Sequence, residues 1–388
     1  VILDKNSCSQ LKENYYLKGV YMRSIAAILG SIAVVSPLFA GTKDQLSKLQ
    51  TEVKDLAKSC QRINQRGVGI YVFGDYLHWR AAEDNIEEVI DFAHPISMNY
   101  NIGKIIDLDF HYGPGFRIGA GYTAKKNLWD LQAVWTRFHT EAKMFKRAEN
   151  GNTLTSLFGE PGSITALYGA DSLSESWKLH YDTIDGLFVP GCFGSRYFSF
   201  LPIIGLRGAR IDQHIDIDTP GSLTVPGLAT GTLASSFHGK LLFRAIGPLA
   251  GGIVKRDIYG GLNIVGKGLA AIVYGQFDLS INEPAMATFA NGLQVSAEGA
   301  LAEKFKRCRF NLQFALGLEW ERAFAKERLF VNLGAYYEAL IWFNQNQFYS
   351  RVNSGTVIDT TVTPVNYFSR RNGDLNMNGL TVHASFGF

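Results

Sequence analysis

Eight histidines, four cysteines and 35 acidic residues could build a catalytic or metal site, yet their spacing assembles none of the usual ones. There is no H-E-x-x-H, no C-x-x-C and no G-x-S-x-G, so zinc hydrolysis, dithiol redox and the strand-to-helix serine nucleophile have no local signature. His180 and Asp182 are the nearest approach to an acid/base pair. Two residues apart on a strand they share one face, where such pairs are commonly wet polar residues. The glycines of "GPGFRIGAGY" lie in an alternating segment with Phe116, Ile118, Ala120 and Tyr122 on one face. No helix pattern follows to receive a phosphate. The chain is therefore expected to be no enzyme and to need no cofactor or metal.

The charged residues do fall into a pattern. Lys178, His180, Asp182, Arg207, Lys240, Arg244, Arg309, Asn311, Gln313 and Glu319 sit on polar faces of alternating segments, opposite apolar ones. Polar groups spaced by two along several strands suit the solvation of ions or small solutes in a wet lumen, and like charges there set ion preference. Among the positions assigned inward, Lys178, His180, Arg207, Lys240, Arg244 and Arg309 outnumber Asp182, Asp278, Glu319 and Glu338, which predicts a mild preference for anions.

The elements that would hold these residues are long amphipathic strands. "RCRFNLQFALGLEW", Arg307 to Trp320, alternates over seven pairs: Cys308, Phe310, Leu312, Phe314, Leu316, Leu318 and Trp320 against Arg307, Arg309, Asn311, Gln313 and Glu319. Ordinary strands run about 5 to 6 residues; crossing a bilayer takes about 9 to 11. Trp129, Leu131, Ala133 and Trp135 form one outward face, and Leu329 to Phe343 another. On "SFHGKLLFRA" the outward set is Phe237, Leu241, Phe243 and Ala245. On "GLAAIVYGQFDLSI" it is Leu269, Ala271, Val273, Phe277, Leu279 and Ile281.

Connections alternate in length, as in outer-membrane barrels. "AKKN", "PGCFG", "KRDI" and "AKE" are short, whereas the stretches after Thr140, Asp212, Asn282 and Asn344 are long, polar and Gly/Ser-rich. Ten strands can be enumerated from residue 68 to Phe388. "NIEEVIDF" with "IIDLDFHY" could add a hairpin, so the expected transmembrane antiparallel barrel has about 12 strands (10 to 14). Its last strand ends at Phe388, the expected assembly signal for the barrel-insertion machinery.

The N-terminal part reads differently. Met22-Arg23, the apolar Ile25 to Val35 and Pro37 before Ala40 make a secretory signal, so residues 1–40 are an over-extended start plus signal peptide. Leu46, Leu49, Val53, Leu56, Cys60 and Ile63 make the a/d seam of a short coiled-coil helix over 41–66, a spacer or a means of forming homo-oligomers. Cleavage leaves Cys60, Cys192 and Cys308, which permit one internal bridge at most. A net charge of +3 on 388 residues gives no reason to expect nucleic acid as a partner.

At "GDYLHWRA", "GFRIGAGY", "WDLQAVWTRFHT", "WKLHYDTIDG" and "LPIIGLRGARIDQ", in that order, the sequence resembles the Legionella major outer membrane protein family, pore-forming proteins found also in chlamydia-like bacteria. The resemblance runs from Phe73 to Phe388. It implies a porin in outer-membrane lipid of a Gram-negative-type bacterium, passing ions and small hydrophilic solutes. The disulfide-linked oligomers of some members would give Cys60 or Cys192 a use. A closed barrel acting through its long loops as an adhesin or envelope component is the rival expectation.

Overall fold

A computed structural model describes residues 69–86, 89–92, 103–124, 129–149, 153–156, 170–194, 198–225, 229–324, 329–358 and 361–388. All belong to the unit Leu56–Phe388 of the chain. The signal segment, the 41–66 coil and Cys60 lie outside the described residues.

Among the described residues every element is a strand: β1 (Gly69–Glu83), β2 (Val89–Phe92), β3 (Gly103–Ile106), β4 (Tyr112–Thr123), β5 (Asp130–Arg147), β6 (Thr153–Ser156), β7 (Ser172–Val189), β8 (Phe193–Gly194), β9 (Phe198–Val225), β10 (Ala229–Tyr259), β11 (Leu262–Phe289), β12 (Gln294–Phe324), β13 (Leu329–Asn346), β14 (Tyr349–Ile358), β15 (Thr361–Arg370) and β16 (Gly373–Gly387). Ten of them close into an antiparallel barrel in the order β10-β11-β12-β13-β16-β1-β4-β5-β7-β9, with β9 pairing back to β10. Closure leaves the wall without an edge.

The ten are the strands that could be enumerated from the sequence; the favoured count of 12 is too high. The "NIEEVIDF" segment does pair with the segment that follows it, as β2 and β3, but in a small sheet with β6 outside the wall. β14 and β15 likewise form a separate hairpin. Two of the expected long loops are strand instead: β9 runs through to Val225 and β11 to Phe289. Strands of 28 to 31 residues far exceed the length of a crossing. In the orientation usual for such barrels they project beyond the outer leaflet.

The outer face carries the apolar belt of a lipid-facing wall. Ile70, Val72, Ile118, Leu131, Ile204, Leu206, Ile272, Phe314, Leu316, Leu318, Val382 and Phe386 are all exposed, an area no water-soluble surface of this size would leave open. Trp129 packs against Tyr122 (ring centroids 5.5 Å apart) and Trp135 edge-on against Phe116 (5.3 Å). Both tryptophans face outward, as expected.

The turn between β10 and β11 is the pair Gly260 and Gly261, not "KRDI", which continues β10 to Tyr259. Both glycines have positive φ, 60° and 89°, the conformation of tight two-residue hairpins. A Cβ on Gly261 would lie 2.3 Å from the Glu321 carbonyl oxygen, whereas one on Gly260 meets nothing within 4 Å. Gly261→Ala is therefore expected to cost about 1–3 kcal/mol and Gly260→Ala less, read as the difference in urea midpoints of the folded barrel in detergent.

Candidate functional site: the barrel interior

The interior has two tiers, and the strands change character between them. On β7 the inward residues Leu173, Trp177, Leu179 and Tyr181 are buried and apolar; past Tyr181 the exposed apolar residue is Ile184, of opposite parity. On β10, Leu241 and Phe243 are buried and Ile246 is exposed. On β11, Val273 and Phe277 are buried and Ile272 is exposed. β5 repeats the change between exposed Leu131 and buried Phe138. No bulge accompanies it, because the registers run continuously through these positions. The strand keeps its faces; the solvent outside changes from lipid to water, so the polar side moves from inside to outside.

This corrects several sequence assignments. Phe237, Leu241, Phe243, Leu269, Ala271, Val273, Phe277, Leu279 and Ile281 face inward and are buried. Lys178, His180, Asp182, Lys240 and Arg244 alternate with buried inward residues and lie on the outer face. They do not line the lumen. Arg207, Arg309, Asn311, Gln313 and Glu319 do point inward and are buried.

The upper tier is aromatic. One cross-strand row brings Phe138, Tyr181, Ile211, Phe243, Phe277 and Phe305 together on the inner face of six neighbouring strands. Trp342 from β13 closes on it from across the barrel, its ring 6.2 Å from Tyr181 and 6.4 Å from Phe243, both edge-on. Trp79 from β1 meets Phe138 at 5.9 Å and donates Nε1–H to Thr381 Oγ1 at 3.1 Å. Trp79, Phe138, Tyr181, Phe243, Phe277 and Trp342 are each no more than 1% exposed. Together they form a plug across the lumen.

The lower tier is ionic. Arg117 Nη1 donates to Asp75 Oδ2 (2.8 Å) and to Glu338 Oε1 (3.0 Å), and Nη2 to Glu338 Oε2 (2.9 Å). Asp75 also holds His383 Nδ1 at 2.6 Å. Arg207 grips Asp185 with Nε and Nη2 (2.8 and 2.6 Å), and hydrogen-bonds to Asn311 and to Gln313 Oε1. Gln313 Nε2 donates in turn to Glu338 Oε2 at 3.2 Å, joining the two clusters. Lys255 bridges Glu319 (2.8 Å) and Glu321. Such fixed, multiply bonded charges are how a narrow lumen tolerates ions out of bulk water.

A cavity of about 120 Å³ lies among these groups, lined by Asp75, Arg117, Asp185, Arg207, Lys267 and Glu338 among others. That is room for several waters, with polar partners among the lining side chains. The guanidinium of Arg117 sits 5.5 Å from the centre of the Trp79 ring and that of Arg309 4.8 Å from Phe277. The cations thus cap the plug from below.

Asp75, Arg117, Asp185 and Lys255 went unrecognised in the sequence. Arg117 was within reach, since it alternates with Phe116, Ile118, Ala120 and Tyr122. Its pairing with Glu338, 221 positions away, carries no local signal. Of the cysteines, Cys192 is disulfide-bonded and Cys308 is a free, exposed thiol on the outer face. Among the described residues no cluster of His, Cys, Asp or Glu could hold a metal ion.

A closed antiparallel barrel with an apolar outer belt and a charged interior defines the class: an outer-membrane β-barrel protein. Residues 71–388 match the family described as Legionella pneumophila major outer membrane protein precursor, and the chain belongs to that family. The protein is accordingly one of the bacterial outer membrane. No curated protein matches the sequence. Among solved structures, the Escherichia coli outer membrane protease OmpT is similar at 9% identity and a TM-score of 0.34, over 82% of this chain and 96% of that one. The Pseudomonas putida toluene transporter TodX gives 10% and 0.24 over 82% and 90%. A Pseudomonas aeruginosa FadL homologue gives 7% and 0.22 over 82% and 89%. Likenesses at this level describe neither substrate nor activity.

Proposed function

We propose that the protein is a narrow pore for passive diffusion of ions and small hydrophilic solutes, with the ionic tier as its lumen and the aromatic tier as its constriction. One observation carries this reading: in the lipid-facing half the interior is polar and holds a cavity with room for several waters, although the upper half demonstrates that this chain can fill the same barrel with aromatic rings. A hydrophobic constriction above a polar lumen is a known means of gating by dewetting. No catalytic step, cofactor or metal enters this reading. Phe388, 68% exposed at the end of β16, serves the barrel-insertion machinery, and the 41–66 segment is a means of associating copies.

The proposed ion preference is for cations. Four of the six cations behind the anion expectation, Lys178, His180, Lys240 and Arg244, lie outside. Buried facing inward are Asp75, Glu83, Asp130, Glu175, Asp185, Glu283, Glu319, Glu321 and Glu338, nine acids, against four bases, Arg117, Arg207, Lys255 and Arg309. The full chain in a planar bilayer under a potassium chloride gradient is expected to give a reversal potential of the sign for potassium permeation. A reversal potential of chloride sign would sink the preference and leave the pore.

The second reading, a closed barrel working through its surface as an adhesin or envelope component, is favoured by the plug itself. It predicts no conductance even when the plug is cut back.

A further inference from the structure

The outer face changes from apolar to charged between two adjacent cross-strand rows. The lower row is Trp135, Ile184, Gly208, Ile246, Tyr274 and Cys308; the next is Arg137, Asp182, Arg210, Arg244, Gln276 and Lys306. The first row faces acyl chains, and the second stands where the headgroups of the outer leaflet begin.

The charges in the second row are matched on one side only, where Asp182 stands directly opposite both Arg137 and Arg210. Arg210 and Arg244 are direct cross-strand partners, a like-charge juxtaposition that destabilises a sheet unless an anion lies between the pair. Arg137 and Arg210 have only distant carboxylates, Asp182 at 3.9 Å and Asp212 at 3.5 Å. Arg244, Lys306 and, four residues up β10, Lys240 are exposed and have no ion-pair partner within 4.0 Å among the described residues. Lys240 again lies directly opposite a second basic group, His214. Of the acids on this face, Asp182, Asp212, Asp216 and Asp278 are bound to Arg137, Arg210, His214, His238 and Lys304 at 3.0 to 4.0 Å, Glu141 is held by Lys143 and Lys178, and Asp218 accepts from Ser236. They leave the Arg244 side of the patch cationic.

We infer that Arg210, Arg244 and Lys306 hold the phosphate of a phosphorylated, acylated lipid of the outer leaflet, whose chains lie on Ile184, Ile246 and Tyr274 below. Two guanidiniums facing each other across a strand pair supply paired N–H donors to one phosphate group, and the row of apolar residues beneath selects a lipid over a free anion.

The test uses native mass spectrometry on the folded full chain in detergent, titrated with an acylated disaccharide bisphosphate. Each basic residue near an anionic lipid surface contributes roughly a fivefold gain, so Arg210→Gln, Arg244→Gln and Lys306→Gln together are expected to weaken binding on the order of a hundredfold. Arg256→Gln, exposed near the opposite end of β10, is expected to leave binding unchanged. On the wild-type chain the dephosphorylated glycolipid should bind as weakly as the bisphosphate binds the triple variant, and this arm stands even if that variant fails to fold. Equal binding of the dephosphorylated lipid, or full binding by a folded triple variant, would overturn the inference. So would displacement of the lipid by inorganic phosphate, which would mark a free-anion site.

Discussion

Arg117→Met is expected to lower the stability of the barrel by about 3–5 kcal/mol, the largest loss from any single charged residue. The guanidinium is only 7% exposed and holds two carboxylates that are 5% and 4% exposed, Asp75 and Glu338. Removing it leaves both negative charges facing each other in the lumen, with Thr136 losing its bond from Nε as well. Most of the cost is the stranded carboxylates, so adding Glu338→Gln to Arg117→Met should restore a large part of it. An exposed cation such as Arg256 has no such partners, and Arg256→Met is expected to change little. Urea midpoints of the folded band in detergent separate these cases. Equal midpoints for Arg117→Met and wild type would show that the ionic tier does not hold the barrel together.

The second large effect belongs to the plug. Trp342 is fully buried against Tyr181 and Phe243, and replacing a buried tryptophan or phenylalanine by alanine costs about 3–5 kcal/mol. Trp342 and Phe243 pack against each other, so the costs of Trp342→Ala and Phe243→Ala should not add. The functional consequence is opposite in sign to the stability loss. Tyr181, against which Trp342 packs, also lines the cavity of about 120 Å³, and joining the vacated space to that cavity would shorten the dry section of the lumen. The double variant should fold less stably and conduct more.

Strand number and strand faces were legible to different degrees, for a physical reason. Each barrel strand needs a run of alternation long enough to cross lipid, and all ten such runs, from Gly69 to Gly387, could be found. The extra hairpin was miscounted because β2 and β3 alternate no differently from wall strands, and only their pairing with β6 excludes them. The faces failed on β7, β10 and β11. Alternation reports two unlike environments without saying which is inside, and here the identity switches along one strand. Phe243 and Ile246 hold the clue: two apolar residues of opposite parity on an unbulged strand mark where lipid gives way to water. The ionic tier was half visible. Arg309, Asn311, Gln313 and Glu319 on β12 lie wholly within the lipid-facing stretch, where apolar-out is the rule, and were placed correctly. Lys178, His180 and Asp182 lie beyond it and were not.

The most direct measurement is single-channel current through the full chain in a planar bilayer, recorded for the wild type and for the Trp342→Ala, Phe243→Ala double variant at equal protein and salt. A pore constricted by the aromatic tier predicts small or infrequent steps from the wild type and larger, more frequent ones from the variant. No steps from either, with both shown to be folded barrels, would contradict it and leave a closed outer-membrane barrel that acts through its surface.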